Sequence, residues 1–283
     1  MTVKSGLVLE GGAVRGIFTA GALDYLLEKD MTVDYTVGVS AGSCNAVDFV
    51  SRQFDRTRQC FMPERKSRYL TSESIFKKHS IFDMDLIFDK YPREIYPFDF
   101  DTFFHSDTEC EIVVTNCRTG KAEYKSEAAD KIRLMELCRA SSSMPLATPM
   151  VLVDGEWYVD GGVGDSIPVK RAISKGCDKL IIILTRPKEY RKQANTRTDK
   201  IWKLYLRKYP NLAKAMCHRY KVYNTQVEWV DRLEKEGRAF VLRPEIPVVS
   251  RIEQDHEKLM EFYRHGYISM MRRYDELCRF LEE

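Results

Sequence analysis

Four short runs are apolar on consecutive residues rather than on alternate ones: Gly6–Glu10 (GLVLE), Tyr35–Val39 (YTVGV), Glu111–Asn116 (EIVVTN) and Leu180–Leu184 (LIIIL). A strand that is apolar on both faces has to be covered on both faces. Stretches of helical periodicity lie between these runs. Ile17–Lys29 carries Leu23, Leu26 and Leu27 on one face, and Ala41–Arg52, Lys131–Ala140 and Pro168–Lys175 follow. Pro168 stands in a first turn, where a missing N–H costs nothing. Such strands alternating with helices predict an α/β fold, three layers α/β/α around a mainly parallel central sheet. A length of 283 residues allows one substantial core and a smaller second lobe.

One hairpin interrupts the alternation. Met150–Val153 and Glu156–Val159 flank Asp154-Gly155, a strong two-residue turn signal, and the second strand runs straight into Asp160-Gly161-Gly162. Between Asp55 and Ser106 the pattern is less regular and aromatic, with Phe76, Phe82, Phe88, Tyr91, Phe98 and Phe103 among its rings. After Arg186 the composition shifts. Residues 186–221 are strongly basic, with Glu189 and Asp199 the only acids and Trp202, Tyr205, Tyr209 and Tyr220 interleaved. A helix over Gln226–Glu236, a strand over Phe240–Arg243 and a long amphipathic helix from about Glu253 to Leu281 are expected to close the chain. The expected division is therefore 1–188, built of strands and helices, and 189–283, a mostly helical extension.

Several classes are disfavoured. The eight cysteines form no CxxC pair and no Cys/His spacing suited to zinc, so neither metal nor cofactor is expected, and reduced buried thiols suit a cytoplasmic protein. No run approaches the roughly 18 apolar residues of a membrane span. The N-terminus enters a strand pattern at once, without the apolar core of a secretory signal. A net charge of +3 does not imply nucleic acid, and no stacking platform marks RNA binding.

The chemistry concentrates where strands end. Tyr35–Val39 runs into Gly38-Val39-Ser40-Ala41-Gly42 with a helix behind it, which is the strand–turn–helix setting of a G-x-S-x-G nucleophile elbow. Ser40 would sit at a helix N-terminus, whose positive dipole end favours a developing negative charge. The same serine could instead be an ordinary helix cap. Ahead of the elbow, Glu10-Gly11-Gly12-Ala13-Val14-Arg15-Gly16 joins the first strand to the first helix. A glycine-rich βα turn leaves main-chain N–H groups unobstructed. The dinucleotide spacing G-x-G-x-x-G fails at Ala13, no acid closes the second strand, and no Gly-Lys-Ser/Thr follows. The remaining use of such a loop is an oxyanion hole beside the elbow.

Together these segments resemble the patatin-like phospholipase family: EGGAVRG at 10–16, GVSAG at 38–42 and DGG at 160–162, in the family's order, with RASSSMP at 139–145 and DGGVGDSIP at 160–168 extending the likeness. The likeness spans roughly residues 6–185 and is nearest to the bacterial branch. The resemblance implies a Ser–Asp dyad without histidine and hydrolysis of acyl esters in lipids. Carried over by position, Ser40 is the nucleophile and Asp160 the base. Gly11, Gly12 and Ala13 supply the oxyanion amides, and Arg15, Gly16, Gly38, Gly42, Gly161 and Gly162 complete the supporting motifs. The family usually has glycine where Ala13 stands, and the methyl is harmless only if φ stays negative there.

Two other readings stand beside this one. A lipid-binding or regulatory protein with little turnover follows from Ala13. A Ser-His-Asp esterase would draw on His256 or His265, the other histidines being His79, His105 and His218. The aromatic stretch suits either an acyl-chain groove or extra core. The basic segment 186–221 suits either contact with an anionic membrane or a solvated helical face.

Overall fold

A computed structural model describes residues 3–64, 68–70 and 80–282. In chain order the elements are β1 (Ser5–Leu9), α1 (Gly16–Glu28), β2 (Tyr35–Val39), α2 (Ala41–Val50), α3 (Arg56–Phe61), a π-helix (Leu86–Ile95) and α4 (Phe100–Phe104). Then come β3 (Glu109–Asn116), β4 (Ala122–Lys125), α5 (Lys131–Ser141), β5 (Val151–Val153), β6 (Glu156–Asp160), α6 (Val169–Ser174) and β7 (Lys179–Ile183). The chain closes with α7 (Thr196–Tyr205), α8 (Pro210–Lys235), β8 (Ala239–Leu242) and α9 (His256–Glu282).

All eight strands join one sheet in the order β5-β6-β3-β2-β1-β7-β8, with β4 paired to β3. The pairs β3–β2, β2–β1, β1–β7 and β7–β8 are parallel, and β4, β5 and β6 add antiparallel pairs at one side. Alternation along each central strand builds two cores. Leu7, Leu9, Ile181, Ile183, Phe240 and Leu242 face α1, α2, α5 and α9. Their neighbours Val8, Leu180, Ile182, Ala239 and Val241 face α6 and α8. Every one of these side chains is at least nine-tenths buried, which is why the runs read as continuously apolar. The mainly parallel three-layer fold is what the sequence predicts.

The part after residue 188 is helical except for β8, and β8 lies in the central sheet with Leu180 opposite Ala239 and Ile183 opposite Leu242. Helix α8 begins at Pro210, sixteen residues before the expected start at Gln226. Its inward positions Tyr223, Val227, Val230 and Leu233 keep helical spacing, while its first half fills the outer faces with basic and tyrosine side chains that blur the pattern. Helix α9 crosses α1 where no side chains separate them. A Cβ on Gly21 would lie 2.1 Å from the Tyr263 carbonyl oxygen, and one on Gly266 1.9 Å from that of Phe18.

The aromatic stretch divides between both expected roles. Tyr91, Phe98 and Phe103 are core residues, whereas Phe82 and Phe88 also wall a cavity described below. Phe76 and His79 lie outside the described residues. The π-helix, with Pro92 inside it, was not anticipated; its wider turn accommodates a residue that cannot donate a backbone hydrogen bond. Among the described residues no helix is long and apolar enough to cross a membrane.

Candidate active site

In an open parallel sheet, ligand crevices form outside the carboxyl ends of the strands where the strand order reverses. Here that point is β1, which has β2 on one side and β7 on the other. Register fixes what meets there. Leu9 lies opposite Gly38, so the Glu10–Ala13 turn leaves the sheet beside the elbow. Val39 lies opposite Val113 of β3, and Asp160 opposite the next β3 residue, Val114. Ser40, which follows Val39, and Asp160, 120 positions apart in the chain, thus emerge at one level on opposite sides of β3.

Ser40 has φ +55° and ψ −124°, a conformation that side chains rarely adopt, between β2 and the first turn of α2. Its carbonyl accepts from the N–H groups of Ser43 (2.8 Å) and Cys44 (3.4 Å), closing the helix start. Its own N–H donates to Ser141 Oγ at 2.8 Å, and Ser141 Oγ donates to the Val113 carbonyl at 2.6 Å. One buried hydroxyl therefore ties the strained residue to β3. The flanking glycines are needed for close approach: a Cβ on Gly38 would stand 2.3 Å from the Gly42 oxygen, and one on Gly42 2.4 Å from the Leu9 oxygen.

Asp160 ends β6 and is buried, 4% exposed. Its Oδ1 accepts from the Gly162 N–H at 2.7 Å, and its own N–H donates to the Ser143 carbonyl at 2.8 Å. Burial pushes this carboxyl above the ordinary carboxylate range. Arg219 is the main opposing influence, followed by hydrogen bonding from the Ser40 side chain and the Gly162 amide. A desolvated carboxylate beside a serine hydroxyl can accept its proton more readily than a solvated one.

The glycine-rich turn completes the arrangement. A Cβ on Gly11 would sit 2.8 Å from that of Ser40, so the two loops touch. Among the described residues, nothing accepts a hydrogen bond from the amides of Gly11, Gly12 or Ala13. Ala13 has φ +52°, in the left-handed region, so the condition under which its methyl would be harmless is not met. Gly16 packs against α2, its ideal Cβ 2.9 Å from that of Ala41. Gly161 passes β3 so closely that a Cβ would meet the Val113 oxygen at 2.1 Å. Arg15 is 8% exposed and donates from Nε to the Val249 carbonyl at 2.8 Å; burial and the neighbouring Arg186 and Arg251 lower it to about 10.

Ser40 stands where two cavities meet. One, of about 120 Å³, is apolar, walled by Val47, Phe61, Phe82, Met84, Phe88 and Met135. The other, of about 240 Å³, is polar and holds Asp160, the 10–13 turn and Arg15. None of the described histidines lines either. His265 Nε2 accepts from the Glu245 N–H at 3.0 Å while its ring packs on Phe18, and His256 lies at a separate surface depression. Among the described residues no cluster of three or more His, Cys, Asp or Glu side chains could hold a metal ion.

Sequence reasoning missed the contribution of the basic segment. Arg186, Lys192 and Arg219 line the polar cavity, and Arg251 joins them. Arg219 donates from Nε to the Gly162 carbonyl. One turn pair further along α8, Gln226 Oε1 accepts from the N–H groups of Ser166 and Ile167, each at 3.2 Å. Helix α8 thus grips the segment that follows Asp160. A run of lysines and arginines carries no sign of which of them turn inward, so only the tertiary packing separates these from their solvated neighbours.

Residues 7–173 match the family described as patatin-like phospholipase, and residues 209–282 match a domain of unknown function, DUF6363. The uncharacterized protein YjjU of Escherichia coli (strain K12) is 31% identical over 192 residues, covering 65% of this chain and 52% of that one. The probable lipid hydrolase 463L of Invertebrate iridescent virus 6 is 25% identical over 186 residues, covering 59% and 62%. The match thus spans between half and two thirds of the length of each relative. Among solved structures, that of VipD from Legionella pneumophila aligns with a TM-score of 0.57 at 12% identity, over 98% of this chain and 67% of that one, a likeness of fold. With its three motifs at the ends of β1, β2 and β6 around one crevice, and the family match covering more than half its length, this chain belongs to the patatin-like phospholipase family.

Proposed function

We propose that this protein is a serine acyl hydrolase of lipid esters, with Ser40 as nucleophile and Asp160 as its base. The observation that carries the reading is the β3 register, with Ser40 and Asp160 leaving the sheet at one level on either side of β3, beside a turn whose amides have no described acceptor. The family match and the printed name of the viral relative, a probable lipid hydrolase, point the same way.

As Ser40 Oγ attacks the ester carbonyl carbon, its proton passes to Asp160. The carbonyl oxygen becomes an oxyanion held by the amides of Gly11, Gly12 and Ala13, and each such donor is worth about 10²–10³ in rate. Collapse breaks the C–O bond, and the departing alkoxide takes the proton from Asp160. Water then attacks the acyl-enzyme, Asp160 accepts its proton, and the tetrahedral intermediate expels Ser40 with that proton returned. The apolar cavity receives the acyl chain.

The proposed place of action is the cytoplasm at a membrane face. Helix α7 supports it, with Ile201, Leu204 and Tyr205 exposed beside Arg197, Lys200 and Lys203. A second reading, a patatin-like protein with little turnover, draws on the left-handed Ala13.

A fluorophosphonate probe should label the wild type and not Ser40→Ala. Asp160→Asn should lower p-nitrophenyl butyrate hydrolysis by at least about 10³-fold, whereas the double variant His256→Ala/His265→Ala should hydrolyse it at close to the wild-type rate. Poor labelling together with negligible turnover would favour the second reading. Loss of hydrolysis on removing the histidines, or its retention in Asp160→Asn, would refute the dyad.

A further inference from the structure

The polar cavity is more cationic than ester hydrolysis requires. Arg15, Arg186, Lys192, Arg219 and Arg251 line it against two carboxylates, Glu10 and Asp160. Glu10 is already engaged, accepting from the Thr185 N–H at 2.7 Å and from its hydroxyl at 3.2 Å. Among the described residues no carboxylate lies within ion-pair distance of any of the five cations. By contrast Arg191, beside Lys192 in sequence, pairs with Asp231 at 3.1 Å.

Arg186, Lys192 and Arg219 are held in place, whereas Arg251 reaches the cavity from an exposed turn. The Arg186 guanidinium lies 4.1 Å from the Tyr190 ring centroid, and the Lys192 ammonium 3.6 Å from that of Tyr223. Asn224 brackets the Lys192 backbone with hydrogen bonds of 2.9 and 3.0 Å. Arg219 is anchored through Nε to the Gly162 carbonyl. Like charges held this close repel, and Lys192 is pushed well below the ordinary lysine range by burial and then by Arg219. Glu10 and Asp160 offset part of this charge, and an excess of cations over carboxylates costs stability unless a further anion occupies the cavity.

We propose that the lipid cleaved at Ser40 is a glycerophospholipid of net negative charge, whose phosphate is received by Arg186, Lys192, Arg219 and Arg251 while its acyl chain enters the apolar cavity on the other side of the serine. This rests on the hydrolase reading of the same site. Guanidinium groups suit the task because their planar donors match phosphate oxygens in pairs. Three of the four cations come from residues 186–221, so recognition is supplied largely from outside the segment that carries the nucleophile and base.

The test compares soluble dihexanoyl substrates: phosphatidate, phosphatidylglycerol, phosphatidylcholine and neutral diacylglycerol. The expected result is a kcat/KM for both anionic lipids about 10-fold or more above that for phosphatidylcholine and diacylglycerol. In the double variant Arg186→Gln/Arg251→Gln that ratio should fall by about 10-fold or more, with folding checked by thermal melting. Phosphatidate exceeding phosphatidylglycerol would assign the site to a terminal phosphate, and equality would assign it to net charge. Equal rates on charged and uncharged lipids, or an unchanged ratio in the folded double variant, would overturn the proposal. Absence of hydrolysis in every arm would instead refute the hydrolase reading. Calorimetric titration of Ser40→Ala with dihexanoyl phosphatidate and phosphatidylcholine then decides the headgroup question alone, and equal affinity for the two would overturn it.

Discussion

Ser141 is the residue through which the elbow is most exposed to a single change. It is 0% exposed, and its hydroxyl both accepts from the Ser40 N–H and donates to the Val113 carbonyl. In Ser141→Ala the Ser40 amide has no replacement acceptor, and an orphaned buried donor costs about 1–3 kcal/mol. Loss of the second bond adds about 0.5–1.5 kcal/mol, and removal of one oxygen leaves too small a void to matter. The expected destabilisation is therefore about 1.5–4.5 kcal/mol. An unfolding entropy of roughly 2.1 cal/mol/K per residue gives about 0.6 kcal/mol/K for a chain of 283, hence a melting point lower by about 2.5–7.5 °C. The backbone of Ser40, at φ +55°, also loses the bond that ties its amide to β3. Fluorophosphonate labelling of Ser40 should slow by about 10-fold or more, since small misplacement of a nucleophile is costly. Scanning fluorimetry reads the first effect and time-resolved labelling the second. A variant that melts within about 1 °C of wild type and labels at the same rate would refute the view that Ser141 holds the elbow.

Two further outcomes are expected. Ala13→Gly removes a left-handed penalty of about 1–2 kcal/mol and adds a glycine entropy cost of about 0.5–1 kcal/mol, so the fold should gain about 0.5 kcal/mol and p-nitrophenyl butyrate turnover should not fall. A loss of 1 kcal/mol or more in denaturant unfolding would contradict it. In the proposed mechanism Asp160 is a base only when ionised, so activity should be lost as pH falls through its raised pKa. Arg219 holds that pKa down, so Arg219→Gln should move the acidic limb of kcat/KM to higher pH, and a limb that stays or moves lower would refute this electrostatic role.

How much of this was legible follows from how local each signal is. The central strands announced themselves because burial on both faces makes a run such as Leu180–Ile183 apolar at every position, and its shortness and β-branched residues set it apart from a helix. The elbow and the glycine-rich turn were readable because their glycines answer contacts within a few ångströms, such as Gly42 against Leu9. The hairpin that delivers Asp160 was readable from Asp154-Gly155 alone. Three features were not. Ala13 carries no mark of its φ, which the tertiary path of the turn imposes. Ser141 looks like any serine near a helix end until β2 and β3 are paired. The inward turn of Lys192 and Arg219 depends on α8 lying against the 162–167 segment, a contact between residues about 60 positions apart.

The same long-range contacts bear on what residues 189–283 are for. Strand β8 pairs with β7, so without it the edge formed by Leu180–Ile183 would be bare and fully apolar on both faces. Tyr223, Val227, Val230 and Leu233 of α8 cover one face of the sheet, and α9 meets α1 backbone to backbone at Gly21 and Gly266. A chain ending near residue 188 would keep both Ser40 and Asp160 yet lose the cover of Val8, Leu180 and Ile182, the anchor at Gly162 and three of the five cations. The two matched segments, 7–173 and 209–282, are separate in sequence but share one sheet and one cavity wall. In physical terms the second completes the first: it closes the hydrophobic layers that hold β1 and β2 in register, and that register is what sets the serine beside the carboxylate.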